Sequence, residues 1–149
     1  MFTRSGSTWT QQGAKLTGTG ETAESRFGES VALSGNGNTA LIGNPNESER
    51  HGAAYVFTRS GPTWTQQGGK LVAGDNEYGE FGDSVALSGD GEEALIGEPW
   101  DNGIVGAAWL FTRSGETWTR QGGKLTGSGE KYLGKFGSSV GSPETAPRC

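Results

Sequence analysis

FGDSVALSGDGEEALIGEPWDNGIVGAAWLFTRSGETWTRQGGKL, residues 81–125, decides the fold, because a near copy of it stands at residues 27–71. The two align without a gap over 45 positions and agree at 30 of them. Residues 2–16 repeat the back half of this stretch, and residues 136–140 repeat its opening. Repetition at a fixed period marks stacked units, each burying an apolar face against its neighbour. The expected organisation is serial: a partial unit and connector at 1–26, full units with connectors at 27–80 and 81–135, and the truncated start of another at 136–149.

Each full copy reads as four short strands. SVALS (30–34) and TALIG (39–43) flank Gly35-Asn36-Gly37-Asn38, and the second copy flanks Gly89-Asp90-Gly91-Glu92 in the same way. Apolar runs around such a turn signal a hairpin. A second pair follows at 52–59 and 63–71, with counterparts at 106–113 and 117–125. Helix is disfavoured, since Gly interrupts every window that could carry a 3.6-residue apolar period. SVALS and AAYVF (53–57) are apolar on both faces, as strands sandwiched between neighbouring sheets must be. Four-stranded sheets stacked face to face make a propeller. The fold class is therefore all-β: a partial β-propeller of four-stranded antiparallel blades, with two full blades and partial ones at each end.

The punctuation of the blades carries a family resemblance. Phe27-Gly28 and Phe81-Gly82 open the first strand, Gly43-Asn44-Pro45 and Gly97-Glu98-Pro99 close the second, and Gly52-Ala53-Ala54-Tyr55-Val56-Phe57 begins the third. This pattern resembles FG-GAP repeats, the blades of integrin-alpha-type propellers and of many secreted or surface bacterial proteins. The resemblance implies a non-catalytic binding or adhesion module, extracellular or at the cell surface in its parent protein. Asn44 and Glu98 depart from the family's G-A-P, and two full blades stand where the family usually has seven.

Composition narrows the chemistry. Only 31% of the chain is hydrophobic while 28 residues are Gly, so the core is thin and the glycines serve as recurrent turn positions. A net charge of −5 with dispersed Lys and Arg argues against nucleic acid. No stretch has the apolar length of a membrane span, and residues 1–10 contain no apolar signal core. Met1 occupies the place held by Val56 and Leu110, which leads us to expect a longer reading frame upstream. The pattern fails after Val140, and residues 141–149 read as a disordered tail. Both ends leave apolar blade faces open, so self-association is expected.

No catalytic constellation emerges. Gly35-x-Gly37 and Gly89-x-Gly91 match a dinucleotide fingerprint, but a short strand follows where that fingerprint needs a helix. The resemblance makes Ca²⁺ the better candidate for the same turns, through Asp90 and Glu92. Ca²⁺ wants six to eight oxygens, however, and the first copy offers no carboxylate there, so a plain turn is the default and no cofactor is expected. His51 is the single histidine. Ser48 beside it lacks an oriented base, and Glu92 and Glu93 project to opposite faces of a strand. Trp9, Trp64 and Trp118 recur once per unit and read as packing between blades. Asn46-Glu47-Ser48 is a glycosylation triplet in a loop.

The functional signal lies where the copies differ. Residues 46–51 and 100–105 disagree at six consecutive positions between strands that are nearly the same, and the blade-to-blade connectors differ as well. In an antiparallel meander these two loop classes lie at one edge, where a rigid scaffold presents its recognition residues. Asn46, Glu47, Tyr78, Trp100, Asp101 and Asn102 are the candidate ligand-contacting residues, with Trp100 an aromatic platform for a protein or glycan. The alternatives are a structural repeat accessory to a secreted hydrolase and a gene fragment without an independent role.

Overall fold

The structure, a computed structural model, describes residues 1–23, 25–74 and 78–142. The tail expected to be disordered lies, from residue 143 onward, outside the described residues. Among the described residues ten strands run in order: β1 (Phe2–Ser5), β2 (Thr8–Gln11), β3 (Val31–Leu33), β4 (Thr39–Asn44), β5 (Ala53–Ser60), β6 (Thr63–Gln66), β7 (Ser84–Leu87), β8 (Glu93–Glu98), β9 (Ala107–Ser114) and β10 (Thr117–Leu125). They form a two-stranded sheet β1-β2 and two four-stranded antiparallel meanders, β3-β4-β5-β6 and β7-β8-β9-β10. This is the all-β, partial-propeller architecture that the pattern of turns and strands predicts.

Register is the same in both blades. Val31 pairs Ile42 where Val85 pairs Ile96, and Leu41 pairs Val56 where Leu95 pairs Leu110. One outer strand is shorter than expected: β6 ends at Gln66, and the chain turns before Leu71 rejoins Ala54 through an isolated bridge. In the second blade the same residues stay in β10 as far as Leu125, across a register shift between Gln121 and Leu125. The strand alternation splits the core into two layers. Leu41, Ala54 and Val56 face the second blade and pack with Leu87, Ala94, Ile96, Trp109 and Phe111. On the other face Ala40, Ile42, Tyr55 and Phe57 are covered by Leu16, Phe27 and Trp64.

The three recurrent glycine motifs meet at the seam between blades. Phe81 bridges Gly52 in parallel, as Phe136 bridges Gly106. Ser30 Oγ donates to the Gly82 carbonyl at 2.8 Å, and Ser84 Oγ to the Gly137 carbonyl at 2.7 Å. The next blade's backbone runs so close that a Cβ on Gly43 would overlap the Gly82 oxygen, and one on Gly97 would overlap that of Gly137. Glycine is required there by close approach rather than by turn geometry.

Trp64 and Trp118 do pack between units, but at the rim of the stack and not in its core. Trp9 is 64% exposed and Trp64 and Trp118 are half-buried, so none is a core residue. They sit on the outermost strand of each blade, where only one side meets a neighbour. Their indole N–H groups reach back one unit, Trp64 to Gln12 at 3.1 Å and Trp118 to Gln67 at 3.0 Å. Tyr55 and Trp109, in the third strand, fill the buried positions instead.

Candidate binding face

Six residues that share no identity between the blades fold into one backbone shape. In the turn Glu47–Arg50, Ser48, Glu49 and Arg50 have φ of 51°, 59° and 73°, and Asn102, Gly103 and Ile104 repeat this at 48°, 68° and 75°. Three successive left-handed residues are costly for side chains other than Gly, and a β-branched Ile most of all. Fixed hydrogen bonds hold them. The Glu47 carbonyl accepts from Gly52 N at 2.9 Å, and the Arg50 and His51 carbonyls accept from Glu80 N and Phe81 N at 3.0 and 3.2 Å. In the next seam Ile104 and Val105 accept from Lys135 and Phe136 at 3.0 and 2.9 Å. The turn thus hands its carbonyls to the segment that opens the following blade.

A buried acid anchors each turn from inside. Glu47 Oε1 lies 2.8 Å from Lys70 Nζ, and Glu47 Oε2 accepts from Thr22 N at 3.0 Å and Asn44 Nδ2 at 3.2 Å. Asp101 meets Lys124 Nζ at 2.8 and 2.9 Å. Burial pushes the Glu47 carboxyl up, but the hydrogen bonds from Lys70 and Thr22 and the Lys70 charge outweigh it and hold it below the ordinary range. Burial, with Glu47 nearby, pushes the Tyr55 hydroxyl beneath this turn up to about 12. Glu47 and Asp101, expected among the ligand-contacting residues, therefore point inward and position the turn.

Trp100 differs from expectation in another way. It is half-buried, with the Arg50 guanidinium 5.4 Å and Lys135 Nζ 4.5 Å from its ring centroid. Two cations hold this ring, which ties the first turn to the second seam. Arg50 also pairs with Glu80. Tyr78 is an open aromatic on this face, 64% exposed, and its ring lies 4.6 Å from that of His51. Asn102 is exposed, and Asn46 is half-buried at the mouth of a cleft.

That cleft, about 790 Å³, lies between the first connector and the first turn. Thr22, Asn46, Ser48, Glu49, Arg50 and His51 line it. The two loop classes do meet on one face, then, but in combinations the sequence did not rank: Asn46 with Thr22, and Tyr78 with His51. Ser48, Glu49, Arg50 and His51, which line the cleft, were not among the candidate residues, although the run of six unlike positions contained them. The hairpin turns are explained without a metal. Asp90 Oδ1 accepts from Ser88 Oγ and Glu92 N, and Asn36 Oδ1 accepts from Ser34 Oγ and Asn38 N in the same way. An amide does the first copy's work, so the carboxylate acts as a turn acceptor. Among the described residues no group of three acidic, His or Cys side chains converges.

A family model for the FG-GAP repeat matches residues 9–57 and 64–111. The chain belongs to the FG-GAP repeat family. Each FG-GAP match runs from the rim Trp of one unit to the third-strand Phe of the next, so the family's repeat straddles the seam described above. Comparison with curated proteins gives no match. FG-GAP repeats are typical of extracellular or surface proteins, and among the described residues no helix is long and apolar enough to cross a membrane.

Proposed function

We propose that this chain is a non-catalytic binding module that takes a protein or glycan through the loop face of a secreted or surface FG-GAP propeller. The cleft beside the first turn carries this reading. Two hydroxyls, an amide, a carboxylate, a guanidinium and an imidazole converge on it, with Tyr78 alongside. A ligand of many hydroxyl or amide groups needs such a mixture of donors and acceptors beside an aromatic surface. The seam fixes the backbone under these side chains, so little ordering is left to oppose binding. Existing hydrogen bonds support the non-catalytic reading: His51 Nδ1 faces the Ser48 carbonyl at 2.5 Å, and Ser48 Oγ donates to Glu47. The hydroxyl and the imidazole are thus directed away from a nucleophile–base pair.

The test is an array of immobilised glycans and extracellular-matrix proteins probed with the labelled chain. Retention on at least one feature is expected, and Glu49→Gln with His51→Ala should weaken it by about tenfold or more, roughly 1.4 kcal/mol, with an unchanged melt. No retention above that of heat-denatured chain, or retention indifferent to both substitutions, would overturn the proposal.

A further inference from the structure

The outer face of β3 repeats a surface that the molecule covers elsewhere. Val31 and Leu33 are 66% and 53% exposed. Their counterparts one blade on, Val85 and Leu87, are half-buried and 8% exposed, because β7 packs on β3 and β4. Ala32 and Leu41 belong to the cluster that covers them, with Val56 beside these. The second blade carries the same residue types on its opposite face, with Ala86, Leu95 and Leu110 where the first has Ala32, Leu41 and Val56. Leu95 and Leu110 line a pocket of about 100 Å³ at that end, next to Gly141 and Ser142.

The molecule therefore presents both halves of its own internal contact, an open one at Val31 and Leu33 and a half-buried one at Leu95 and Leu110. We propose that a second copy of this chain docks head to tail, setting its Leu95–Leu110 face on Val31 and Leu33 as the second blade is set on the first. Matching residue types in matching register argue for this occupant, since the contact continues an interface the chain already forms. Such a contact uses different patches on the two copies, so it propagates into rings or short chains instead of closing as a symmetric dimer. Each copy carries a net charge of −5, so added salt should favour the assembly by screening repulsion.

Light scattering on the full chain over a range of concentrations tests this. The expected result is a mass that rises with concentration and with salt, and that falls to one copy in Leu33→Asp and in Leu95→Asp alone. Equimolar mixing of the two variants should restore a two-copy species, because each keeps the face the other has lost. A mass of one copy throughout for the unsubstituted chain would overturn the proposal, as would folded variants that fail to complement. Should Leu95→Asp not fold, cysteines at the two positions replace it, in a Cys149→Ser background. Oxidised mixtures of Leu33→Cys with Leu95→Cys chains should cross-link as mixed pairs, and Leu33→Cys chains joined only to each other would refute the head-to-tail contact.

Discussion

Gly43→Ala probes the seam directly. A Cβ there would overlap the Gly82 oxygen and Ser30 Oγ and stand 3.0 Å from the Gly82 carbonyl carbon, and backbone cannot swing aside as a flexible side chain can. Overpacking of this kind costs about 1–3 kcal/mol. The displaced Ser30–Gly82 hydrogen bond adds about 1 kcal/mol, and the stiffer unfolded chain returns about 0.5–1 kcal/mol. The net loss is about 1–3.5 kcal/mol, which for a chain of this length lowers the melting temperature by roughly 2–14 °C. Gly97→Ala should behave alike, because its Cβ would meet Gly137 in the same manner. Gly123 supplies the control: it sits in β10, and a methyl group added there would meet no atom within 4 Å, so Gly123→Ala should be neutral or stabilise by up to about 1 kcal/mol. Melts of all three variants followed by circular dichroism decide the matter. If Gly43→Ala melts within a degree of Gly123→Ala, the close backbone approach is not what fixes glycine at this position.

Lys70→Met strands the buried Glu47 carboxylate and should cost about 3 kcal/mol at neutral pH, measured by urea unfolding. The pH dependence should change sign with it. In the unsubstituted chain the lowered Glu47 pKa contributes stability above 4.5 that fades as pH falls through the folded value. Without Lys70, burial raises that pKa instead, so the variant should gain stability on acidification relative to its own neutral value; a parallel pH profile for the two proteins would contradict this. Trp64→Ala should cost about 2 kcal/mol because the ring is half-buried and hydrogen-bonded to Gln12, whereas Trp9→Ala should cost less than about 0.5 kcal/mol; equal losses in denaturant would remove the rim assignment. Asp90→Asn should leave both the melting temperature and its response to millimolar Ca²⁺ unchanged, since Asn36 performs the same turn contact; calorimetry with and without Ca²⁺ reads this out.

Strands, hairpin turns and the repeat were legible because their signals are local. Short continuous apolar runs and Gly-x-Gly turns specify β4, β5, β8 and β9 within a few residues of sequence, and copying them twice gives the stacked architecture. The seam glycines were legible as positions, through the FG and G-x-P resemblance, but the reason for them is a backbone approach between Gly43 and Gly82, and between Gly97 and Gly137, that no local pattern states. Separation along the chain also hid the inward turn of Glu47 and Asp101. Each acid is fixed by a lysine 23 residues later in the chain, in the geometry of a folded blade. Sequence could show that residues 46–51 and 100–105 vary; only packing against Glu80-Phe81 and Lys135-Phe136 decides that both adopt one left-handed turn. The tryptophans show the converse case. Their period correctly marks a contact between units, but burial depends on whether a strand lies inside the stack or at its rim, which is a property of the assembled sheets.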